Sequence, residues 1–270
     1  MKIILSLGLI IVFGTCFSQE EQLKERISQP STTEVYQDVP IVSPGITTEP
    51  PSDAIVLFDG NNIKEWRSLK LKSPAKIEEV KSYISQYGNK QGLEDAPWQI
   101  DQGELVVLPG TGAIHTQRDF GDIQLHLEWL APVAEGKRGQ QYSNSGIFLM
   151  GLYEIQILNS FENQTYSNGQ AGSIYKQHAP LANASRPAGE WQVYDLVFTA
   201  PRFSEKGSLI IPAMITLFHN GVLVQHNTPI IGPTLYIGSS HYIPHKEKLP
   251  LMIQDHGDEI RFRNIWLREL

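Results

Sequence analysis

The chain has 270 residues, 41% apolar and 19% charged, which suits one large β domain with extensions. Its net charge of −7, with no run of Lys or Arg, argues against a nucleic-acid partner. Its one cysteine, Cys16, sits near the start, so a chain trimmed beyond it has no disulfide, thiol nucleophile or cysteine metal site.

Lys2 precedes an apolar run from Ile3 to Phe13, and small residues follow. A bilayer span needs about 20 apolar residues. The run therefore reads as an export signal over residues 1–18, cut after Ser18. Phe13-Gly14-Thr15-Cys16 offers a rival reading, a lipidated Cys16, although Phe13 and Thr15 depart from the usual lipobox. That lipid would be the only membrane attachment. Export of a cysteine-free chain suits the periplasm or outer cell surface of a Gram-negative bacterium.

Residues 19–52 begin charged and then turn rich in Pro, Ser and Thr, the composition of a disordered tether with a fraying helical start. The folded domain is expected over 53–270, opening with Ala54–Phe58 and the turn Asp59-Gly60-Asn61-Asn62. One helix is expected over 74–86, from Ile77, Val80 and Ile84 at helical spacing, ending before Gly88-Asn89. Short strands follow at 98–100, 104–108, 123–129, 146–149, 153–158, 191–199, 213–219, 222–225, 251–254 and 260–268. Asn220-Gly221 marks a hairpin turn. This is an all-β pattern, a β-sandwich or jelly roll with one short inserted helix. Segments 159–190 and 226–250 are long, irregular and polar, as site-forming loops are.

Two strands are two-faced. Residues i and i+2 share a face, so Gln124, His126 and Glu128 oppose Leu125, Leu127 and Trp129. In the same way Glu154 and Gln156 oppose Tyr153, Ile155 and Ile157. Such a polar face suits a polar ligand.

Several phrases stand in the order of one known domain: Phe58-Asp59-Gly60 with Trp66, Asn144-Ser145-Gly146, Tyr153 to Leu158, Gly189-Glu190-Trp191, Asn220-Gly221, Gln254-Asp255-His256-Gly257 and Arg263-Asn264-Ile265. Over residues 53–270 the chain resembles the 3-keto-disaccharide hydrolase domain family (DUF1080). Asn159, where Asp is common, and the insertion at 70–95 are its departures. The resemblance implies a concanavalin-like jelly roll and an exported enzyme that cleaves glycosides already oxidised to a ketone at C3. Lyase, hydratase and hydrolase activities all remain open under it.

That chemistry needs a base for the C2 hydrogen, a donor for the enolate oxygen and an acid for the leaving group. Glu154 is the first candidate for base or metal ligand, because a mid-strand acid among apolar neighbours is desolvated. His126 and Glu128 are candidates for an acid–base pair. Tyr175 and His178 stand in the loop after Gly172 as donors to the ketone, and His256 stands in a turn beside Asp255. Asn144, Gln156, Gln254 and Arg261 are candidates to bind sugar hydroxyls. A divalent metal on Glu128, Glu154 and His126 is conceivable, but no tight ligand spacing marks one. Nothing resembles a nicotinamide-binding glycine loop or a serine-hydrolase elbow. Two other readings compete: a lectin-like carbohydrate-binding module, and a conventional glycosidase using Glu128 and Glu154.

Overall fold

The structure is a computed structural model that describes residues 19–46, 49–68, 70–90 and 92–270. The expected export signal and Cys16 lie outside the described residues. No helix among the described residues is long and apolar enough to cross a membrane. The described residues from Gln19 to Val42 belong to one unit, in which helix α1 (Gln19–Ile27) buries nothing and carries a Lys24–Glu20 ion pair.

The compact unit runs from Ser43 to Leu270, ten residues earlier than the expected start at Asp53. Ser52 N donates to Ser43 O at 2.9 Å and Ser43 N to Ser52 Oγ at 3.0 Å, which ties the earlier segment back on itself. The first strands are β1 (Ile55–Phe58) and β2 (Trp66–Ser68), followed by helix α2 (Ile77–Asn89). Next come β3 (Glu94–Asp95), β4 (Gln99–Asp101), β5 (Glu104–Val106), β6 (Ile114–Phe120) and β7 (Ile123–Leu130). The centre of the chain supplies β8 (Asn144–Leu149), β9 (Tyr153–Leu158), β10 (Trp191–Thr199) and β11 (Arg202–Phe203). The last strands are β12 (Leu209–Ile211), β13 (Met214–His219), β14 (Val222–Pro229), β15 (Leu249–Ile253) and β16 (Arg261–Glu269).

These strands make an all-β sandwich of the jelly-roll kind. One sheet has the order β14-β13-β10-β7-β16-β5-β4, with β1 also paired to β16. The other has the order β3-β2-β6-β15-β8-β9, and β11–β12 form a separate hairpin. Leu125, Leu127 and Trp129 of β7 face inward, as do Ile155 and Ile157 of β9, and all are essentially buried. Tyr194 of β10 crosses the core to donate its hydroxyl to Gln156 O at 2.8 Å. The β13–β14 turn carries Asn220 at φ +51° and Gly221 at φ +79°, the two positive values a tight hairpin demands.

Two local expectations change. The helix spans 77–89, not 74–86, and so runs through Gly88. Lys76 at the N-cap makes no side-chain capping bond, Glu79 Oε2 accepts from Ala75 N at 2.9 Å just ahead of it, and Lys90 at φ +50° ends the helix. Gly88 faces β15, where an added β-carbon would lie 3.3 Å from Leu249 Cδ2. Strand β6 carries too many polar residues to be read as a strand. It is held between β2 and β15, with Thr116 Oγ1 accepting from Leu251 N at 3.0 Å.

Candidate active site

Every residue of β8 and β9 is buried, on both faces. The inner face meets the core. The outer face carries Glu154 and Gln156, and loop backbone pairs with the edge of β9 beside it: Gln156 N donates to Ser173 O, Gly172 N to Gln156 O and Tyr175 N to Glu154 O, at 3.0, 3.0 and 3.2 Å. The segment 172–175 thereby continues the sheet edge beyond β9. A second loop is pinned where Glu154 N donates to Thr234 Oγ1 at 2.9 Å.

Between these loops lies a recess of about 220 Å³. Its lining includes Asn144 and Phe148 of β8, Glu154 and Gln156 of β9, and Tyr175, Thr234 and Tyr236 from the loops. Gln254 and His256 close one side, and Ser73, Pro74 and Ala75 close another. The inserted helix sets that last wall in place. Val80, Tyr83 and Tyr87 form its buried stripe, Tyr83 Oη donates to Gly151 O at 3.1 Å, and Ile237 N donates to Ala75 O at 2.9 Å.

Glu154 dominates the recess. Its side chain makes no hydrogen bond to any described residue, and burial alone pushes its carboxyl up to about 8. Gln156 Nε2 donates to Asn144 Oδ1 at 3.2 Å and Gln140 Oε1 at 3.3 Å, while its Oε1 is buried with no partner. Gln254 Oε1 is likewise buried and unpartnered. Tyr175 and Tyr166 share a hydroxyl hydrogen bond of 2.7 Å. Burial, then Tyr166, raises the Tyr175 phenol far above its ordinary value, so it stays a neutral donor. His256 is exposed at the recess wall. Asp255 accepts from Gly112 N at 2.9 Å and Gly257 N at 2.8 Å and so builds the turn.

The recess thus gathers Glu154, Tyr175, His256, Asn144, Gln156 and Gln254. Other candidates fall elsewhere. His126 and Glu128 sit on the outer face of the other sheet, because β7 belongs to it and Leu125, Leu127 and Trp129 take the core side. The candidate metal ligands Glu128, Glu154 and His126 are therefore split between sheets, and no group of three or more His, Cys, Asp or Glu among the described residues is placed to hold a metal ion. For the same reason Glu128 and Glu154 cannot flank one bond as a glycosidase pair. Arg261 bridges Asp101 at 3.0 Å and Glu104 at 2.8 Å, tying β16 to β4 and β5 rather than reaching a ligand. His178 closes a turn with Ile174 through backbone bonds, and its ring is not among the recess-lining side chains.

Tyr166, Thr234, Tyr236 and the Ser73–Ala75 wall join the site from outside the candidate set. Three of these come from the two irregular segments marked as site-forming loops. The wall had no signal beyond being the approach to a helix.

No curated protein matches this chain. It is similar to a solved structure from Parabacteroides distasonis ATCC 8503, described as a candidate glycosyl hydrolase, with 41% identity and a TM-score of 0.78. That match covers 90% of this chain and 97% of the other. A second candidate glycosyl hydrolase structure from the same organism has 16% identity, covers 81% of this chain and 94% of its own, and has a TM-score of 0.53, which speaks to the fold. A family model described as the 3-keto-alpha-glucoside-1,2-lyase-like domain matches residues 53–268. That span contains every residue lining the recess, and the chain is a carbohydrate-active protein that belongs to the 3-keto-alpha-glucoside-1,2-lyase-like family.

Proposed function

We propose that the recess cleaves 3-keto-glycosides by removing the C2 proton and expelling the glycosidic oxygen, with or without subsequent hydration. The observation that carries this reading is Glu154: a buried carboxyl, without a hydrogen-bond partner, at the wall of an open recess. A base with a pKa near the working pH is close to optimal for proton transfer. At about 8, Glu154 is roughly one-tenth ionised at pH 7 and correspondingly strong when it is.

The ketone at C3 acidifies the neighbouring C2–H bond. Glu154 takes that proton, and the bonding pair moves into the C2–C3 bond as the C3 oxygen becomes an enolate. The neutral Tyr175 hydroxyl supplies a hydrogen bond to that oxygen. The enolate then re-forms the ketone, a C1–C2 double bond forms and the C1–O bond breaks. His256, at the exposed side, is the group that protonates the departing oxygen. Water adding back at C1, with its proton returned to C2, completes a net hydrolysis. Gln156, Gln254 and Asn144 bind the remaining hydroxyls.

An export signal ahead of the domain accords with a periplasmic or cell-surface enzyme, and we infer that location from the N-terminal sequence. The test is to incubate the protein with 3-keto-trehalose and with trehalose, with and without chelator, following enone absorbance and released glucose. The reading expects turnover of the keto sugar alone and loss of turnover in Glu154→Gln. Binding of both sugars without cleavage of either would replace it with a lectin.

A further inference from the structure

A second cavity, of about 620 Å³, opens on the outer face of the eight-stranded sheet, between β1, the β4–β5 turn and β16. Pro50, Val56 and the open part of Trp266 give it an apolar wall, and Glu128, Arg263 and Asn264 give it a polar one.

A bulge in β16 builds that polar wall. The register against β7 shifts between Arg263 and Trp266, and Asn264 stands at φ +48°. Strict alternation would send residue 264 inward after Phe262. Instead Ile265 is the next fully buried core residue, and Arg263, Asn264 and Trp266 all gather on the outer side. Bulges re-aim side chains in this way beside functional sites.

The gathered groups brace one another. Arg263 Nε donates to Glu128 Oε2 at 2.6 Å, and its guanidinium lies 4.0 Å over the Trp191 ring. Asn264 Nδ2 donates to Glu128 Oε1 at 3.1 Å, and His126 stacks on Trp266 with ring centres 5.1 Å apart. His126 is held in turn by Asp195 Oδ1 at 2.6 Å. These bonds leave Asn264 Oδ1 and the terminal nitrogens of Arg263 without a described partner. Since Arg263 already neutralises Glu128, the wall offers paired hydrogen-bonding groups rather than a free charge. Glu49 and Asp59 on the lining add negative charge that repels anions.

We propose that this cavity is a second carbohydrate-binding site. It takes a neutral pyranose, with the sugar's C–H face against Val56 and the part of Trp266 that His126 leaves open, and neighbouring hydroxyls on Asn264 Oδ1 and Arg263. The site is built from the sheet opposite Glu154 and does not depend on the chemistry proposed there.

The chain has five tryptophans, so uniform 5-fluorotryptophan labelling gives five fluorine resonances, with those of residues 191 and 266 assigned through Trp191→Phe and Trp266→Phe. Titration with cellobiose should move the Trp266 resonance saturably, and glucuronate should not. Asn264→Gly keeps the positive φ accessible while removing the amide, and should weaken the cellobiose response at least tenfold. Arg263→Gln, at a half-exposed side chain, serves the same purpose should the glycine variant fold poorly. A Trp266 resonance that never saturates, that responds equally to glucuronate, or that is indifferent to both substitutions overturns the proposal.

Discussion

The carboxyl of Glu154 lies over the α-carbon of Gly146 on the neighbouring strand. A β-carbon built at position 146 would stand 2.6 Å from Glu154 Oε1 and 3.0 Å from its Cγ. Gly146 pairs with Gln156 across β8 and β9, so the missing side chain opens room for the carboxyl in an otherwise closed layer. Gly146→Ala should therefore displace the carboxyl rather than break the sheet. A misplacement of about 1 Å at a reacting group costs on the order of 10²-fold. The expected result is that loss in kcat/KM on a 3-keto-glycoside, with thermal unfolding nearly unchanged.

Glu154 also makes activity and stability respond to pH in opposite senses. As a base it must be ionised, so the ascending limb of kcat/KM should have its midpoint near 8, with a descending limb where the acid His256 loses its proton. For stability, the folded pKa of about 8 lies above the ordinary 4.5, so the unfolded chain releases this proton first. Stability is then lost from pH 4.5 upward until the folded form also ionises near 8. Glu154→Gln should remove that loss and be more stable than the parent by on the order of 3 kcal/mol at pH 7, with no gain at pH 4. Urea unfolding of both proteins at several pH values measures it.

Gly151, at φ +68°, receives the Tyr87 ring of α2, and a β-carbon there would lie 2.2 Å from Tyr87 Cε1. Gly151→Ala combines an unfavourable backbone with a clash, and should undock the helix that sets the Ser73–Ala75 wall. A destabilisation of about 2–4 kcal/mol is expected, together with a raised KM and faster amide exchange across residues 77–89.

On the opposite sheet, burial opposes charging of His126, but the bonds to Asp195 and Glu128 outweigh it and raise the ring to about 9. A raised histidine pKa contributes stability that is whole below the unfolded value near 6.5 and lost as pH climbs through 9. His126→Gln should thus cost about 1–3 kcal/mol at pH 6 and markedly less at pH 9.5. Denaturant midpoints at the two pH values check the sign.

Much of this was legible along the chain. The alternation in 123–129 and 153–158 set which side chains of each strand meet the core, and Trp129 and Ile155 are buried as that alternation requires. Asn220-Gly221 turned where its backbone preference dictates. The resemblance carried by the ordered phrases matched the family found over residues 53–268. Less legible were β6, whose polar residues are held by its neighbours, and the bulge at Asn264, which depends on two partners of β16.

The sequence by itself determined that Glu154 and Gln156 share a face, as do His126 and Glu128, because side-chain direction within a strand is a local property of the backbone. Only the tertiary structure decided that the two faces belong to different sheets and look away from each other. Strand pairing joins residues far apart in sequence, so no local pattern carries it. The same non-local packing gathered Tyr175, Thr234 and Tyr236 from the loops around Glu154. That gathering turned an ordinary strand carboxylate into a desolvated one, while Glu128, given Arg263, Asn264 and His126 as partners, stayed a held anion.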